Sequence, residues 1–350
     1  MSTPMVVPSG AKVILAPDAL DSEWHAARKL GLGGSDIPTL LGMDKYTSPL
    51  ELYYAKRGEL PDMPRSAELE EAAEWGHELE DVVARRWARQ RGASVMRGPG
   101  TLQHPDAPWM LGNVDRLFVA PPQGGFGEAE SGVLEVKTRS EYQLRAWEDD
   151  VPDAPALQTH WYLAVTGFDV AYVAALIGGN KLRWHRIERD EDLLADLIEA
   201  AAEFWQRVVD GNPPPVDGTE ATKNLLNHLY QVDPDKTVDL DRSDVAPLLA
   251  AREEALADLE SAEKRIDDAE NQLRALIGDA ELARVDAVTV ATWKANGTFA
   301  SKRFAKAHPE LADTFRTKTV IDAKRLAAER PDLYAAFRPR VLRIKELDSD

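Results

Sequence analysis

The stretch from Leu111 to Thr138 constrains this chain most. Gly112-Asn113-Val114-Asp115-Arg116 opens into an apolar run, a Gly/Pro-rich break follows, and Val133-Leu134-Glu135-Val136-Lys137-Thr138 closes it. The β-branched content of Arg116 to Ala120 and of Val133 to Lys137 predicts the two strands of a β-hairpin, with Pro121 to Gly132 as the linker. Successive strand side chains point to opposite faces, so Glu135 and Lys137 share one face while Leu134 and Val136 take the other. An apolar face is what a strand on a core needs. A carboxylate and an ammonium opposite it, with Asp115 at the mouth of the neighbouring strand, call for more. Hard cations such as Mg²⁺ prefer carboxylate oxygens, and an Asp, a Glu and a Lys converging there would bind a metal and steer a water onto a phosphorus. The competing reading is a surface salt bridge on an edge strand, and Glu-x-Lys alone is too common to decide between them.

The flanking chain adds to the choice. Residues 1–20 read as a loose, flexible leader. Asp21 or Ser22 is placed to cap a helix running to Leu30, with Trp24 and Arg28 one turn apart on one side. Gly31-Leu32-Gly33-Gly34-Ser35-Asp36-Ile37 is a glycine-rich turn opening a second helix. Its free N–H groups would suit an anion, with Arg28 and Ser35 adding charge and a hydroxyl; the plain alternative is that Ser35 only caps the helix. Pro49 to Arg57 reads as a short helix. Ala67 to Arg91 reads as a long one, with Trp75, Leu79, Val82, Val83 and Trp87 as its apolar stripe. Glu80 lies next to that stripe, where a carboxylate needs a partner such as a metal. His77 reads as structural or solvent-facing rather than as a ligand.

After the hairpin come a helix from Asp153 to Val165 carrying Gln158, His160, Trp161 and Tyr162, and a near-continuous apolar strand from Val170 to Ile177, expected at the centre of the sheet. Gly178-Gly179-Asn180 turns the chain into Lys181 to Ile187. An amphipathic helix from Asp190 to Val209 ends at Asp210-Gly211-Asn212 and three prolines. The core is thus predicted over 21–217 as a mixed α/β unit. Residues 218–350 form a C-terminal arm: a charged helix from Ser243 to Ile277, β-structure from Leu282 to Trp293, and a basic tail with Lys302, Arg303, Lys306, Arg316, Lys318, Lys324 and Arg325. In the helix, Leu248, Ala255, Ala262, Ala269 and Leu276 share one heptad position, and Leu259, Ile266 and Leu273 another. The alanines imply close packing within the chain or against a copy. No internal repeat is expected.

A net charge of −18 excludes a generic nucleic-acid coat. The charge is uneven, however: Ala291 to Lys345 holds 13 Lys/Arg against 5 Asp/Glu. The absence of cysteine excludes disulfides and thiolate metal sites. With neither a bilayer-length apolar run nor a signal-like N-terminus, a cytoplasmic location is expected.

Trp24…Arg28…Gly33-Gly34-Ser35-Asp36, Trp75-Gly76-x-x-x-Glu80, Gly112-x-x-Asp115, Glu135-x-Lys137 and Gln158 occur in that order. The set resembles the YqaJ-like viral recombinase nucleases, relatives of phage lambda exonuclease in the PD-(D/E)xK superfamily, over roughly residues 20–215. Thr319 to Ala323 and Arg340 to Ile344 also look like YqaJ-type C-termini. The resemblance implies a restriction-endonuclease-like mixed sheet flanked by helices, with the helical arm and a small α+β extension appended. It implies Asp115 and Glu135 as principal Mg²⁺ ligands, helped by the backbone carbonyl of Val136, with Glu80 near the metals through water. Two ions are expected, with Mn²⁺ able to substitute for Mg²⁺. Lys137 would orient or deprotonate the attacking water, Gln158 would support Lys137 and the scissile phosphate, and Arg28 and Ser35 match residues that hold the recessed 5′-phosphate. Val114 stands where the superfamily's proline would be; that proline is not a ligand.

The activity implied is a Mg²⁺-dependent 5′→3′ exonuclease on ends of double-stranded DNA, leaving 3′ overhangs for phage-type recombination. The resemblance further implies a ring-shaped trimer working with a single-strand annealing protein, in a bacterial host's cytoplasm if phage-encoded. Two alternatives stand beside it: an endonuclease or single-strand nuclease of repair or restriction, and an inactive DNA-binding scaffold.

Overall fold

The computed structural model describes residues 7–61, 67–122, 127–230, 237–317, 320–338 and 341–344. Lys318, Thr319 and Arg340, the first six residues of the expected leader and the middle of the 121–132 linker lie outside the described residues. The chain divides into two compact units, Met1–Pro234 and Asp235–Asp350.

In the first unit, Lys12–Leu15 forms strand β1, so the end of the leader is ordered against the core rather than loose. Helices α1 (Asp21–Arg28), α2 (Asp36–Leu40), α3 (Pro49–Arg57) and α4 (Ala67–Arg91) follow. The start of α1 is held by Glu23, which accepts from the Leu20 N–H at 2.9 Å, and not by a cap at Asp21 or Ser22. Four short strands come next: β2 (Ser94–Arg97), β3 (Thr101–Gln103), β4 (Leu111–Asn113) and β5 (Arg116–Ala120). The expected hairpin partner is longer than its apolar stretch, β6 (Glu130–Arg139). Helix α5 (Asp153–Thr166), strands β7 (Val170–Ile177) and β8 (Lys181–Glu188), and helices α6 (Glu191–Asp210) and α7 (Glu220–Leu229) complete the unit. Inclusion of α7, which buries Leu225, carries the unit beyond the boundary expected at 217.

The main sheet has the order β2-β5-β6-β7-β8. It is mixed: β6 runs antiparallel to β5 and parallel to β7, and the other pairs are antiparallel. The apolar strand β7 is therefore interior but not central; β6 holds the middle. Gly178 and Gly179 take φ of 57° and 74°, the left-handed turn geometry that closes β7 onto β8. Even-numbered residues of β6, Leu134 and Val136, pack with Trp87 and Val83 of α4. Trp87 meets Phe118 and Tyr172 at 5.3 and 5.1 Å between ring centres, contacts that add about 0.5–1.5 kcal/mol each to area burial. Odd-numbered Val133 faces the second layer, where Trp161 and Val165 of α5 and Leu197 and Phe204 of α6 cover the sheet. The result is a mixed sheet flanked by helices on both faces.

The predicted stripe of α4 needs correction. Val83 and Trp87 are buried, but Trp75 and Val82 are more than half exposed. The buried residues of this 25-residue helix, Val83, Ala84, Trp87 and Ala88, all lie in its second half, so the apolar periodicity continues where the helix is no longer buried. A small sheet of order β1-β3-β4 was not foreseen. A bridge from Leu32 to Met110 ties the glycine-rich turn to it.

The second unit carries α8 (Arg242–Ile277), the hairpin β9 (Leu282–Val285) and β10 (Val288–Lys294), and a helical module. That module contains α9 (Ser301–Ala307), α10 (Pro309–Thr314), β11 (Arg316–Thr317), β12 (Val320–Ile321), α11 (Ala323–Glu329) and α12 (Pro331–Ala336). Strand β13 (Val341–Ile344) pairs back on β10. Contrary to expectation there is an internal repeat, offset by 22 residues: Lys302-Arg303-Phe304…Pro309-Glu310-Leu311…Phe315 recurs as Lys324-Arg325-Leu326…Pro331-Asp332-Leu333…Phe337. Its halves clasp each other reciprocally. Arg303 lies over Phe337 and Arg325 over Phe315, at 5.6 and 5.4 Å. The Ala300 N–H donates to Phe337 O while the Asp322 N–H donates to Phe315 O.

Candidate active site

Strand β6 brings Glu135 and Lys137 to one face, as alternation requires, and the β5 register sets Arg116 opposite Leu134, so Asp115 arrives beside Glu135. Asp115 Oδ2 accepts from the Val136 N–H at 2.7 Å. Lys137 Nζ donates to Glu135 Oε1 at 2.6 Å and to Gln158 Oε1 at 3.0 Å; Gln158 Nε2 donates to Glu135 Oε1 at 2.8 Å and to the Tyr162 hydroxyl at 3.0 Å. Gln158 and Tyr162 are one turn apart on α5, so both reach the same face of the sheet.

Burial is severe here. Glu135 is 2 % exposed, and its Oε2 has no hydrogen-bond partner. Asp115 is pushed up to about 8, first by burial and then by the charge of Glu135; Lys137 and the Val136 N–H pull it down. The Tyr162 phenol is driven well above its ordinary value by burial and by the same two carboxylates. Two adjacent buried carboxylates, one with an orphaned oxygen, need a proton or a cation. The donor set, all oxygen apart from the amine, fits a hard divalent ion.

Glu80 stands apart from that cluster. Its Oε1 accepts from Arg116 Nη1, and its carboxyl is raised by burial and by Asp115. Among the described residues no three His, Cys, Asp or Glu side chains form a metal-holding group, so two carboxylates, not three, carry the cluster. His77 is exposed and lines the cavity described below.

Arg28 and Ser35 lie elsewhere on the same cavity. The plain-cap alternative for Ser35 does not hold: its side chain makes no cap hydrogen bond, and its Oγ instead accepts from Arg28 Nη2 at 3.5 Å. The residue that organises this end is Asp36, missed as a participant although it ends the Gly-Gly-Ser-Asp run. Asp36 is buried and holds Arg28 at 2.7 Å, Lys56 Nζ at 2.5 Å and the Gly33 N–H at 2.7 Å. Burial lowers the Lys56 pKa against the pull of Asp36. Two cations on one carboxylate leave a net positive charge. Arg28 is further aimed by Trp24, whose ring lies 4.9 Å below its guanidinium.

A cavity of about 560 Å³ is lined at once by Arg28, Ser35 and Lys56 and by Asp115, Glu80 and Gln158. Gly34 forms its wall because nothing larger fits: a Cβ there would stand 2.5 Å from the Tyr162 ring and 3.1 Å from Gln158. Gly34→Ala is expected to shift Tyr162, loosen Gln158 and cost about 1–3 kcal/mol of stability, measurable by denaturant unfolding. An unchanged midpoint would mean that the ring moves freely.

The family model for the YqaJ-like viral recombinase domain matches residues 23–169. The YqaJ protein of Bacillus subtilis (strain 168) is 34% identical over 320 residues, covering 89% of each chain. The chain belongs to the YqaJ-like viral recombinase family. Among solved structures, the YqaJ-like chain is similar to the alkaline exonuclease LHK-Exo of Laribacter hongkongensis, at 19% identity and a TM-score of 0.41, over 55% of this chain and 94% of that one. It is also similar to a phage-related exonuclease of Haemophilus somnus 129PT, at 11% identity and a TM-score of 0.33, over 54% and 99%. No helix among its described residues is long and apolar enough to cross a membrane.

Proposed function

We propose that this YqaJ-like protein is a Mg²⁺-dependent 5′→3′ exonuclease of PD-(D/E)xK type, acting on ends of linear double-stranded DNA and leaving 3′ overhangs for recombination by strand annealing. The observation that carries the reading is the shared cavity, lined by the cationic cluster at Arg28 and Lys56 and by Asp115, which stands on the neighbouring strand beside the buried Glu135. A terminal 5′-phosphate fits the first and a scissile phosphodiester the second. Family membership supports the same reading.

Asp115, Glu135 and the Val136 carbonyl would hold the divalent ion, two ions in the full site, with Mn²⁺ able to replace Mg²⁺. Bound there, the cation supplies Lewis acidity toward water and phosphate oxygen. Lys137, fixed by Glu135 and Gln158, presents positive charge beside the reacting phosphorus and orients the water. Gln158 keeps Lys137 in place and is itself fixed by Tyr162. Arg28 clamps the end phosphate without reading bases, as an enzyme that accepts any sequence requires. Double-stranded DNA ends are the substrate, a trimeric ring of this chain the assembly, and a single-strand annealing protein the downstream partner.

The test compares linear with covalently closed duplex. Degradation of the linear form alone is expected; cutting of the closed circle would make the protein an endonuclease. Arg28→Ala is expected to lower the rate on 5′-phosphorylated ends by about 10- to 100-fold and to leave unphosphorylated ends little changed. Equal losses on both would remove the phosphate assignment.

A further inference from the structure

The second unit presents a long uncovered seam. Helix α8 runs 36 residues. Its two seam positions are Val245, Arg252, Leu259, Ile266 and Leu273 on one side, apolar except for Arg252, and Leu248, Ala255, Ala262, Ala269 and Leu276 on the other. Leu248, Leu259, Ile266 and Leu276 are 70, 55, 59 and 84% exposed. Leu248 to Leu276 spans 28 residues, about 42 Å of helix. An apolar line of that length is a coiled-coil seam awaiting a partner helix.

We infer that the partner is α8 of a second copy, running antiparallel, with Leu259 of one copy facing Ala262 of the other. The residues choose the orientation. A parallel, in-register pair would set Arg252 against its own copy, flank Asp258 with Glu263, and stack three alanine layers that leave gaps. Reversing one helix with Leu259 on Ala262 sets Ile266 on Ala255, Leu273 on Leu248 and Arg252 on Ala269. Every alanine then receives a large neighbour. Asp258 flanks Arg265, twice by symmetry, so the edge charges pair where the parallel arrangement repels. Alanine at three successive heptads of the seam also lets the axes approach closely. This interface is independent of the nuclease reading.

The chain has no cysteine, so single cysteines report the pairing cleanly. Full-length Ala255→Cys and Ile266→Cys proteins, mixed and treated with a short bismaleimide, are expected to give a covalent dimer. Neither alone should do so, because each cysteine lies about 16 Å along the axis from its own copy. A covalent dimer from Ala255→Cys alone would mean a parallel pair, and no dimer in the mixture would remove the interface; either overturns the proposal. Because Ile266→Cys trims the seam, a second measurement stands beside it. The two-fold pair joins copies across whatever ring the first unit forms, so Ile266→Asp should halve the assembly mass seen by light scattering (two rings to one, or a dimer to a monomer) while nuclease activity and helix content hold, and an unchanged mass would also overturn it.

Discussion

Asp115→Asn is expected to raise the melting temperature of the metal-free protein by several degrees at pH 9 while reducing nuclease turnover on the order of a thousandfold. Both effects come from one carboxyl group. With burial and Glu135 pushing Asp115 up to about 8, the folded protein keeps a proton there that the unfolded chain releases near 3.8. Between those values the native state binds more protons than the unfolded state, so the contribution of this group falls as pH rises and is fully lost above about 8, the rest of the fold's stability remaining. Asparagine resembles the protonated form and removes most of that slope. Glu80, also raised by burial, contributes a smaller slope of the same sign that the variant retains. Melting curves of metal-free wild type should therefore fall from pH 6 to pH 9 and those of Asp115→Asn should stay nearly flat. A divalent ion should restore the wild type most at the alkaline end. Parallel curves for the two proteins would contradict the buried carboxylate pair.

Asp36→Asn is expected to be the most damaging single change outside the carboxylate cluster, at about 3–5 kcal/mol. Lys56 is 4% exposed at its side chain and Asp36 3%. Neutralising Asp36 leaves the Lys56 ammonium buried with Arg28 nearby and no counter-charge. Lys56→Met should cost clearly less, because Asp36 then keeps Arg28 and the Gly33 N–H. Chemical denaturation of the two variants decides the order. Lys56→Met costing as much as Asp36→Asn would mean that the ammonium's own contacts, including its 2.9 Å bond to Arg28 O, dominate the cluster.

The parts of this molecule that sequence made legible are those where one pattern runs long enough to repeat. Strand β7, the β5–β6 hairpin and helices α5 and α6 carry alternation, unbroken apolar character or amphipathic periodicity over most of their lengths. The Glu135/Lys137 pairing follows from strand alternation alone. Strands β1 to β4 carry no such pattern: Leu111-Gly112-Asn113 is a strand because its neighbours pair with it. Asp36 and Lys56 are 20 positions apart, and nothing local to either says that they meet. Tyr162 was visible one turn beyond Gln158, but its hydroxyl contact depends on how α5 lies on the sheet. The 22-residue repeat escaped because it occurs only twice and its core anchors interchange, Phe304 with Leu326 and His308 with Arg330. For α4, periodicity was read correctly as helix and wrongly as burial, since it cannot say where the covering sheet stops.

Asp115 and Glu135, brought together where β5 meets β6, are expected to hold divalent metal. Counting bound Mn²⁺ per chain by electron paramagnetic resonance, in wild type, Asp115→Asn and Glu135→Gln, tests it without relying on activity. Saturable binding is expected in the wild type, abolished by either substitution and weakening below pH 8 as Asp115 takes up its proton. Undiminished binding in both variants would place the metal elsewhere and contradict it.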